Sequence, residues 1–396
     1  MAEIQYVDVL IVGTGPSGSS TALHLVRSDP AWAQRIVMVD KAVHPREKLC
    51  GGGITHMGRN IISQLGLALE PRHFDVHEAR LTYRNKHYSF FARPVFTVVR
   101  RDEFDQWLVQ TAEKQGVMVR QGEAVKTVTV HPDYVEVTTD QAVFHAKTVV
   151  AADGSKSFVR RALKWEGESH VARLVEVLTP ENAQSTPEFQ ERVAVFEFDQ
   201  LTSFGLQGYY WDFPSYVQQK AFMNRGLFDS RAQPKRPKAD LPATLNSALA
   251  DRQRNLADYK LKGHPIRWWN KNGRFAQPRV LLVGDAAGAD PLMGEGISFA
   301  LGYGKVAAAA IRHAFAQQDF SYASYRSLLL ADPLFKQLNT RTWLAKLTYK
   351  AWPAWFISFG WSVVGWFVKR TRWGNPDYVP LEPPPVSRAD SPQTST

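Results

Sequence analysis

The sequence has a single cysteine, Cys50, among its 396 residues. One thiol excludes an intramolecular disulfide, a cysteine-rich zinc site and an iron–sulfur cluster held by this chain alone. The eleven histidines form no H-E-x-x-H motif, and the sequence predicts no metal site. So little cysteine is typical of a reducing compartment, and we therefore expect a cytoplasmic protein.

Other signatures are also missing. The N-terminus has neither the basic region nor the cleavage site of a secretory signal, and no G-x-S-x-G motif supports Ser/His/Asp catalysis. Acidic residues are outnumbered, with 38 Asp and Glu against 48 Lys and Arg and a formal net charge of +10. Such a charge favours an anionic cofactor, an anionic membrane surface or nucleic acid, and charge alone does not choose among them. The basic residues follow no nucleic-acid-binding motif, so we expect no nucleic acid partner and interpret these residues by default as a solvated surface.

A βαβ unit opens the chain. Val7 to Val12 is an apolar strand, the glycine-rich GTGPSG turn leads into a helix, and Ile36 to Val39 is a second strand. Further on, Arg80 to Val99 alternates like a strand hairpin, and Asp102 to Gln115 has a helical period. The sequence therefore predicts an α/β protein with a nucleotide-binding fold at its start.

The turn after the first strand carries a dinucleotide-binding fingerprint. Gly13, Gly15 and Gly18 form G-x-G-x-x-G, and Asp40 lies 22 positions after Gly18, at the end of the second strand. The glycines allow the tight turn, the approach of backbone to a pyrophosphate and the packing of helix on strand, while the acid accepts hydrogen bonds from a ribose. An acid at this position favours FAD or NAD over NADP.

Three further motifs follow in a fixed order. They are R-x-x-F-D-x-x-L from Arg101, Asp153-Gly154 after a strand, and Gly284-Asp285 followed by Pro291 and Gly294-Glu295-Gly296. In this arrangement the sequence resembles the FAD-dependent fold shared by aromatic hydroxylases, flavin halogenases and geranylgeranyl reductases. Within that fold, Lys48-Leu49-Cys50-Gly51-Gly52 and the Y-x-W-x-F-P run from Tyr209 to Pro214 are similar to segments of the geranylgeranyl reductase family.

This resemblance implies a non-covalent FAD cofactor and a set of residues around it. The expected cofactor-binding residues are Gly13, Gly15, Pro16, Ser17, Gly18, Asp40, Lys41, Cys50, Gly51, Gly52, Arg101, Ala124, Val125, Asp153, Gly154, Gly284, Asp285, Pro291, Gly294, Glu295, Gly296 and Ile297. There is no second G-x-G-x-x-G, so NAD(P)H or ferredoxin would reduce the flavin without a nucleotide-binding fold of its own.

The resemblance also implies a reaction, the reduction of C=C bonds in an isoprenoid or similarly apolar substrate by hydride transfer from flavin N5. The aromatic faces of Tyr209, Trp211 and Phe213 would stabilise developing positive charge, and Tyr210, Asp212 and His56 are the candidate proton donors. Cys50 is the candidate flavin-adjacent thiol. The alternative reaction is that of a monooxygenase that hydroxylates or epoxidises an apolar molecule, and a non-catalytic flavin-binding protein is the third hypothesis. For the residues, the alternatives are aromatic side chains that only fill a core and a Cys50 that is only a small residue beside a turn.

The change in sequence pattern along the chain predicts the domains. Residues 1–80, 100–165 and 271–330 would form a discontinuous Rossmann-type FAD-binding domain, and residues 81–99 and 166–270 an inserted antiparallel substrate domain. Residues 331–379 would be a helical, tryptophan-rich segment, and the Pro/Ser-rich tail 380–396 would be disordered.

The tryptophan-rich segment has a pattern of its own. Six of the twelve tryptophans lie within 31 residues, from Trp343 to Trp373, and Lys or Arg residues flank an uncharged stretch at 351–368. Tryptophan and basic residues favour the lipid headgroup zone. We expect peripheral contact of 341–373 with the inner face of a membrane; a helix packed on the protein or lining a substrate tunnel, and a true span, are the alternatives.

Overall fold

The structure is a computed structural model that describes residues 4–165, 170–350 and 352–377. The predicted tail at 380–396 lies outside these residues. In chain order the strands are β1 (Ile4–Val12), β2 (Ile36–Asp40), β3 (Gly53–Thr55), β4 (His73–Tyr83), β5 (Lys86–Val99), β6 (Met118–Gln121), β7 (Val125–Val130), β8 (Val135–Thr139), β9 (Val143–Ala151), β10 (Val171–Pro180), β11 (Val193–Glu197), β12 (Gly208–Val217), β13 (Lys220–Asp229), β14 (Lys262–Arg267), β15 (Ala276–Gln277) and β16 (Val280–Leu282).

The helices separate and cover these strands. They are α1 (Pro16–Ser28), α2 (His56–Gln64), α3 (Arg101–Lys114), α4 (Phe158–Ala162), α5 (Pro187–Gln190), α6 (Gln200–Ser203), α7 (Leu241–Ala250), α8 (Ile297–Gln317), α9 (Tyr325–Ala331), α10 (Pro333–Thr348) and α11 (Ala354–Val368).

The first sheet is mostly parallel and has the strand order β15-β16-β9-β1-β2-β6, with β8 and β7 added at β9. Its central strands are continuous apolar runs such as Val9–Val12 and Val149–Ala151, which suits strands buried on both faces. Strands β1, β2, β6, β9 and β16 run parallel, so their carboxyl ends meet at one edge. Ligands of such sheets bind at that edge.

Close packing of two helices supports this edge. A Cβ atom added to Gly304 of α8 would lie 2.5 Å from the Cβ of Ser20 in α1, so glycine permits the helices to approach. The Ser20 hydroxyl donates a hydrogen bond of 2.7 Å to the carbonyl of Leu301. The start of α1, which carries the dinucleotide fingerprint, is thereby held rigidly against α8.

The second sheet has the order β14-β10-β13-β12-β11-β4-β5-β3. Its neighbours are antiparallel except for β11 and β4, which are parallel. One face carries the aromatic cluster of β12 and β13, and the other face is covered by α7. The hairpin predicted between Arg80 and Val99 is present as β4 and β5, turning at Arg84-Asn85.

The predicted domain limits need one correction. The prediction assigned all of residues 1–80 to the FAD-binding domain, but β3 and most of β4, from His73, belong to the second sheet. The physical reason is that β5 forms hydrogen bonds along both of its edges. Its residues Thr97 and Val98 pair with β3 on one edge and with β4 on the other. The chain therefore enters the second sheet at Gly53, well before residue 81.

The C-terminal segment is helical, as α10 and α11, and α11 packs on β5. Within residues 4–165, 170–350 and 352–377, no helix combines the length and the apolar character needed to cross a membrane.

Candidate active site

A cavity of about 1070 Å³ lies where the carboxyl edge of the first sheet faces the second sheet. Its two ends differ in chemistry. One end is formed by turns and charged side chains of the first sheet, and the other by aliphatic and aromatic side chains of β4, β5, β11, β12 and β13. Pockets of this size, mostly apolar with a few converging polar groups, are typical of cofactor and substrate sites.

The turn between β1 and α1 forms the floor of the polar end. Gly13 has a φ of +103°, and a Cβ atom there would lie 2.5 Å from the carbonyl oxygen of Ala152. A Cβ atom on Gly18 would meet the carbonyl oxygen of Gly13. Pro16 occupies the first turn of α1, whose free N–H groups point along the helix axis towards the cavity. The arrangement fits a pyrophosphate at the helix start.

Asp40 ends β2 beside this turn. Its Oδ2 accepts hydrogen bonds of 2.9 Å and 3.0 Å from the backbone N–H and the hydroxyl of Thr14, and its Oδ1 accepts one from the N–H of Ala42. Thr14 is itself hydrogen-bonded to His44 at 2.8 Å. The carboxylate is thereby fixed at the cavity wall with lone pairs left for the hydroxyls of a ribose.

An ion cluster at the start of α3 places Arg101 in the cavity. The carboxylate of Asp105 is fully buried and accepts two hydrogen bonds from Arg101, of 2.7 Å and 2.8 Å. Arg46 reaches the same carboxylate at 3.1 Å. Burial opposes the charge on Arg101, but Asp105 outweighs that effect and raises the pKa of the guanidinium. Two cations therefore share one buried anion, which leaves net positive charge for an anionic ligand.

Asp153 and Asp285 follow β9 and β16 and line the cavity. The Oδ2 of Asp153 accepts hydrogen bonds from the N–H groups of Phe158 and Val159 at the start of α4, while its Oδ1 is buried without a partner among the described residues. Burial raises the pKa of this carboxyl. Buried carboxylate oxygens normally accept hydrogen bonds, so an unpartnered one beside an open cavity indicates that a ligand donates a hydrogen bond to it.

The loop from Asp290 to Gly296 is pinned from three sides. The carbonyl oxygens of Pro291, Leu292 and Met293 accept hydrogen bonds from the hydroxyls of Ser230, Tyr349 and Tyr209, at 2.6 Å, 2.7 Å and 2.5 Å. Burial raises the pKa of Tyr209, so its phenol stays protonated and remains the donor.

Arg341 of α10 fixes the ends of the same loop. Its Nη1 lies 2.7 Å from the carboxylate of Asp290 and 2.6 Å from that of Glu295, and Glu295 also accepts from the Thr55 hydroxyl at 2.7 Å. Asp290 is buried, and burial raises its pKa. The C-terminal segment thus contributes to the enclosure of the cavity.

Lys48 and His264 meet inside the cavity. The Nζ of Lys48 lies 2.5 Å from the Nε2 of His264, and the hydroxyl of Ser155 lies 3.1 Å from the same nitrogen. Burial lowers the pKa of Lys48 to about 8, against the opposing pull of Asp285. Burial and the neighbouring Lys48 lower the pKa of His264 to about 4, so the imidazole is neutral and accepts from the ammonium.

The glycine-rich loop after Lys48 lies against the aromatic strand β12. A Cβ atom on Gly51 would be 3.1 Å from the ring of Phe213. The side-chain amide of Asn224 donates to the carbonyl of Cys50 at 3.1 Å and accepts from the indole N–H of Trp211 at 2.9 Å. Cys50 is half-buried and lines the cavity. Asn224 therefore holds the thiol loop and the tryptophan in one arrangement.

The apolar end is built from side chains of the second sheet. Tyr209, Trp211 and Phe213 alternate along β12 and all face the cavity. Gly226 on the neighbouring strand has no side chain because the Trp211 ring lies there, 2.4 Å from where a Cβ would be. The remaining apolar lining side chains are Ala79, Leu81, Phe90, Val95, Phe96, Leu174, Phe196, Phe228, Ile266 and Met293.

Two of the predicted proton donors are on the wrong face of the sheet. The hydroxyl of Tyr210 donates to Asp212 at 2.6 Å, and Asp212 pairs with Arg225 and Arg252, both at 2.6 Å. These residues lie under α7, away from the cavity, because side chains alternate along a strand. The prediction of Tyr210 and Asp212 as proton donors is therefore wrong, and of the three candidates only His56 lines the cavity.

The other predicted residues divide into lining and supporting positions. Gly18, Gly284 and Pro291 do not line the cavity; Gly18 packs against Gly13, Gly284 against Ser17, and Pro291 accepts the Ser230 hydrogen bond. The predicted residues that line the cavity are Gly13, Gly15, Pro16, Ser17, Asp40, Lys41, Cys50, Gly51, Gly52, His56, Arg101, Ala124, Val125, Asp153, Gly154, Tyr209, Trp211, Phe213, Asp285, Gly294, Glu295, Gly296 and Ile297.

Sequence reasoning missed several polar residues of the site. Arg46, Lys48, Asn224, His264 and Arg341 line the cavity or hold its wall. Asp105 was within reach of sequence reasoning, because Arg101 and Asp105 are spaced i, i+4 on a predicted helix. The pairing of Lys48 with His264 joins residues 216 positions apart and leaves no local signal.

Residues 6–303 match the FAD binding domain family, and the chain belongs to it. This match places the chain among FAD-dependent oxidoreductases, with FAD as the cofactor that the polar end of the cavity fits. The menaquinone reductase of Mycolicibacterium smegmatis is 28% identical over 331 residues, covering 76% of this chain and 75% of that protein. Digeranylgeranylglycerophospholipid reductase 2 of Methanosphaera stadtmanae is 25% identical over 328 residues, covering 79% and 80%.

Solved structures share the fold. A geranylgeranyl bacteriochlorophyll reductase-like protein of Thermoplasma acidophilum has a TM-score of 0.76 at 21% identity over 92% of both chains. A probable FAD-dependent monooxygenase of Pseudomonas aeruginosa has a TM-score of 0.68 at 18% identity, over 91% of this chain and 100% of that one. At these identities the likeness concerns the fold.

Proposed function

We propose that this enzyme reduces C=C bonds of an isoprenoid chain, carried by a substrate such as a prenylated quinone or a prenyl lipid. The observation that carries the proposal is the apolar end of the cavity, whose walls are aliphatic and aromatic side chains of the second sheet. A long hydrocarbon chain gains about 0.8 kcal/mol for each CH₂ group that leaves water, so such a wall binds it without polar contacts.

The aromatic rings suit the electronic demand of the reaction. FAD held at the polar end of the cavity would, when reduced, supply the hydride for one alkene carbon, and the other carbon would receive a proton. Positive charge that develops on the alkene during protonation is stabilised by aromatic faces. Phe96, Phe196 and Phe213 pack with ring centroids 5.1 to 6.2 Å apart, and Trp211 lies 6.1 Å from Phe213.

Among the candidate catalytic residues predicted from the sequence, two can transfer a proton at the cavity. His56 begins α2 and lines the cavity, and Cys50 lines it from the glycine-rich loop. Tyr209 also lines it, but its hydroxyl proton is committed to the carbonyl of Met293. We therefore assign proton delivery to His56, with Cys50 close to the reacting carbons.

The relatives support the same substrate class. The similar proteins named above include a menaquinone reductase and a digeranylgeranylglycerophospholipid reductase, which act on substrates with long isoprenoid chains. The source of electrons, NAD(P)H or ferredoxin, stays part of the proposal.

The deciding experiment is turnover without oxygen. Holoenzyme reduced by dithionite under argon is mixed with menaquinone or with a geranylgeranyl lipid in detergent. The products are then reoxidised in air, so that any quinol returns to the quinone, and are analysed by mass spectrometry. We expect products that gain two hydrogens for each reduced bond, and we expect His56→Gln to slow the reaction with normal FAD content. Reduced enzyme that leaves every isoprenoid unchanged would contradict the proposal.

The alternative is a monooxygenase, which the shared fold with the probable monooxygenase favours. It predicts that NAD(P)H oxidation requires O₂ and that the product gains an oxygen atom. The same mass measurement in air distinguishes the two reactions.

A further inference from the structure

Helix α11 has an inner face that packs on the second sheet. The Trp361 ring lies 5.5 Å from Tyr83, 5.8 Å from Tyr88 and 5.1 Å from Phe198, measured between ring centroids. Gly365 lets the helix approach, since a Cβ there would lie 1.6 Å from Cε1 of Tyr88. The helix is therefore anchored along the β4–β5 hairpin.

On the opposite side of α11, the aromatic side chains are largely exposed, and the guanidinium of Arg370 lies over the ring of Trp366 at 4.0 Å. Trp355, Phe359, Trp366 and Phe367, which we call the outer aromatic face, are 70%, 62%, 53% and 60% exposed. Positions 355, 359 and 366 fall on one side of a helix, and Val363 between them is also exposed. Four large aromatic side chains in water on one helix are far from the usual scattered exposure of single apolar residues.

The charge around this face has one sign. Residues 333–376 contain seven Lys and Arg residues and no Asp or Glu. Lys346 and Lys350 precede α11, and Lys369, Arg370 and Arg372 follow it, all of them exposed. Arg341, by contrast, is neutralised by Asp290 and Glu295. An apolar face bordered at both ends by cations is complementary to a lipid bilayer with anionic headgroups, which is apolar in its interior and negatively charged at its surface.

The inner face of α11 adjoins the apolar end of the cavity. On β4, Ala79 and Leu81 line the cavity, and the next residue on that side, Tyr83, packs on Trp361. On β5, Phe90 lines the cavity, and Tyr88 packs on Trp361. The helix therefore occupies the position along the hairpin directly beyond the cavity lining.

We propose that the outer aromatic face docks this enzyme on an anionic lipid bilayer, with α11 lying in the headgroup zone and the apolar end of the cavity turned towards the lipid. A second copy of the chain is the other occupant to consider. A two-fold contact through this face would bring its basic border against an identical basic border, which opposes association. The proposal concerns where the enzyme sits and does not depend on which bond it reduces.

The test is co-sedimentation of the full-length holoenzyme with sucrose-loaded vesicles. One set contains phosphatidylcholine with phosphatidylglycerol, and the other contains phosphatidylcholine alone. We expect binding to the anionic vesicles that weakens as salt is added, and a partition constant at least about tenfold lower for Trp355→Ser/Phe359→Ser/Trp366→Ser/Phe367→Ser. FAD content and circular dichroism of the variant show whether it is folded.

Matched controls are two exposed aromatic residues elsewhere, Tyr6 and Phe204. The double variant Tyr6→Ser/Phe204→Ser should bind vesicles like the wild type. Lys369→Gln/Arg370→Gln/Arg372→Gln should lose most of the preference for anionic lipid and keep the weaker binding to neutral vesicles.

Several results would overturn the proposal. The first is wild-type enzyme that stays in the supernatant with anionic vesicles, and the second is an outer-face variant that binds vesicles as tightly as the wild type. The third is a wild-type dimer in light scattering that is absent in the outer-face variant, while neither protein binds vesicles. Vesicle binding is measured without turnover, so a failed reductase assay leaves this result readable.

Discussion

The two ends of the cavity are built by different means. At the cofactor end, the backbone is tightly packed, because Gly13 and Gly18 have no room for a side chain. One buried carboxylate, Asp105, also holds two arginine side chains there. At the substrate end, side chains of regular strands form the wall, and those without hydrogen bonds, such as Phe213, can change without moving the backbone that carries them. The difference teaches that cofactor binding should be intolerant of substitution in this chain, while substrate preference should be adjustable.

Gly13→Ala should reduce FAD binding more than any other substitution considered below. The new Cβ would collide with the carbonyl oxygen of Ala152, and alanine at a φ of +103° costs about 1–2 kcal/mol in addition. We expect the FAD content of the purified protein to fall at least about tenfold, since the whole turn must shift away from the pyrophosphate.

Gly116→Ala is the matched control. Gly116 also has a positive φ, but a Cβ there would meet nothing closer than 3.5 Å. This variant should lose some thermal stability and keep its FAD. If Gly13→Ala retained FAD at the wild-type ratio, the turn would not be the rigid element that we describe.

Among substitutions that change only charge, Asp105→Asn should cause the largest loss in the free energy of unfolding. It removes the one anion that Arg101 and Arg46 share, and breaking a buried ion pair typically costs about 3–5 kcal/mol. Urea unfolding of the FAD-loaded enzyme measures the loss. Lys305→Gln, at a half-exposed pair with Asp332, should cost less than about 1 kcal/mol. Equal losses of unfolding free energy in the two variants would contradict our description of Asp105 as the anion that holds the cofactor end.

Cys50→Ala addresses the junction of the two ends. The thiol lines the cavity, but the loop is held through the backbone carbonyl of Cys50, which the substitution keeps. We expect normal FAD content and turnover lower by about tenfold, equivalent to roughly 1.4 kcal/mol. Turnover equal to that of the wild type would take Cys50 out of the active site, and loss of folded protein would make its role structural.

Lys48 should make FAD binding depend on pH. Its pKa is lowered to about 8 by burial, so the ammonium is present below that pH and is lost as the pH rises through it. Arg101, Asp285, His264 and Cys50 surround the ammonium and keep their places in the test variant. FAD carries two phosphate charges, and one lost cation is worth on the order of 1 kcal/mol, or about fivefold in affinity.

Titration of the apoprotein with FAD at pH 7 and pH 9.5 measures this effect by flavin fluorescence. The wild type should bind more weakly at pH 9.5, and Lys48→Met should bind with the same affinity at both values. Lys220→Met, at an exposed lysine that begins β13 and does not line the cavity, should behave like the wild type. A pH dependence that persists in Lys48→Met would assign it to another group.

Phe213→Leu should have the smallest effect on the cofactor. The side chain belongs to the substrate end, and exchanging one buried apolar side chain for another typically costs less than about 1.5 kcal/mol. We expect unchanged FAD content and a shifted preference for isoprenoid chain length, measured by competition between two substrates. A loss of FAD as large as that of Gly13→Ala would show that the two ends are not separable.

The two ends also differed in how far the sequence predicted them. The fingerprint at Gly13–Gly18 and the motif from Arg101 are local, because neighbouring residues form each turn or helix, and the structure places them at the cavity. The substrate end depends on which face of a strand each residue occupies. The alternation of β12 was readable in YYWDFP, and applying it would have separated Tyr209, Trp211 and Phe213 from Tyr210 and Asp212.

Other features had no local signal. His264 reaches Lys48 because β14 pairs with β10 in one register, which no short segment encodes. The charge of Arg341 was interpreted only as part of the basic flank of a membrane-contacting segment, whereas its partners Asp290 and Glu295 lie about fifty residues earlier. Long-range pairing of this kind comes from the assembled fold.

Two side chains of the C-terminal segment, Arg341 and Tyr349, make this segment part of the enclosure of the cofactor end. Tyr349, which follows α10, holds Leu292, and Arg341 holds both ends of the loop from Asp290 to Gly296. A chain cut back to Asn339 would lose both holds, so we expect it to release FAD faster even in the absence of lipid. The proposed lipid-docking helix α11 directly follows the residues that hold this loop, so we expect the off-rate of FAD to change when anionic vesicles are added.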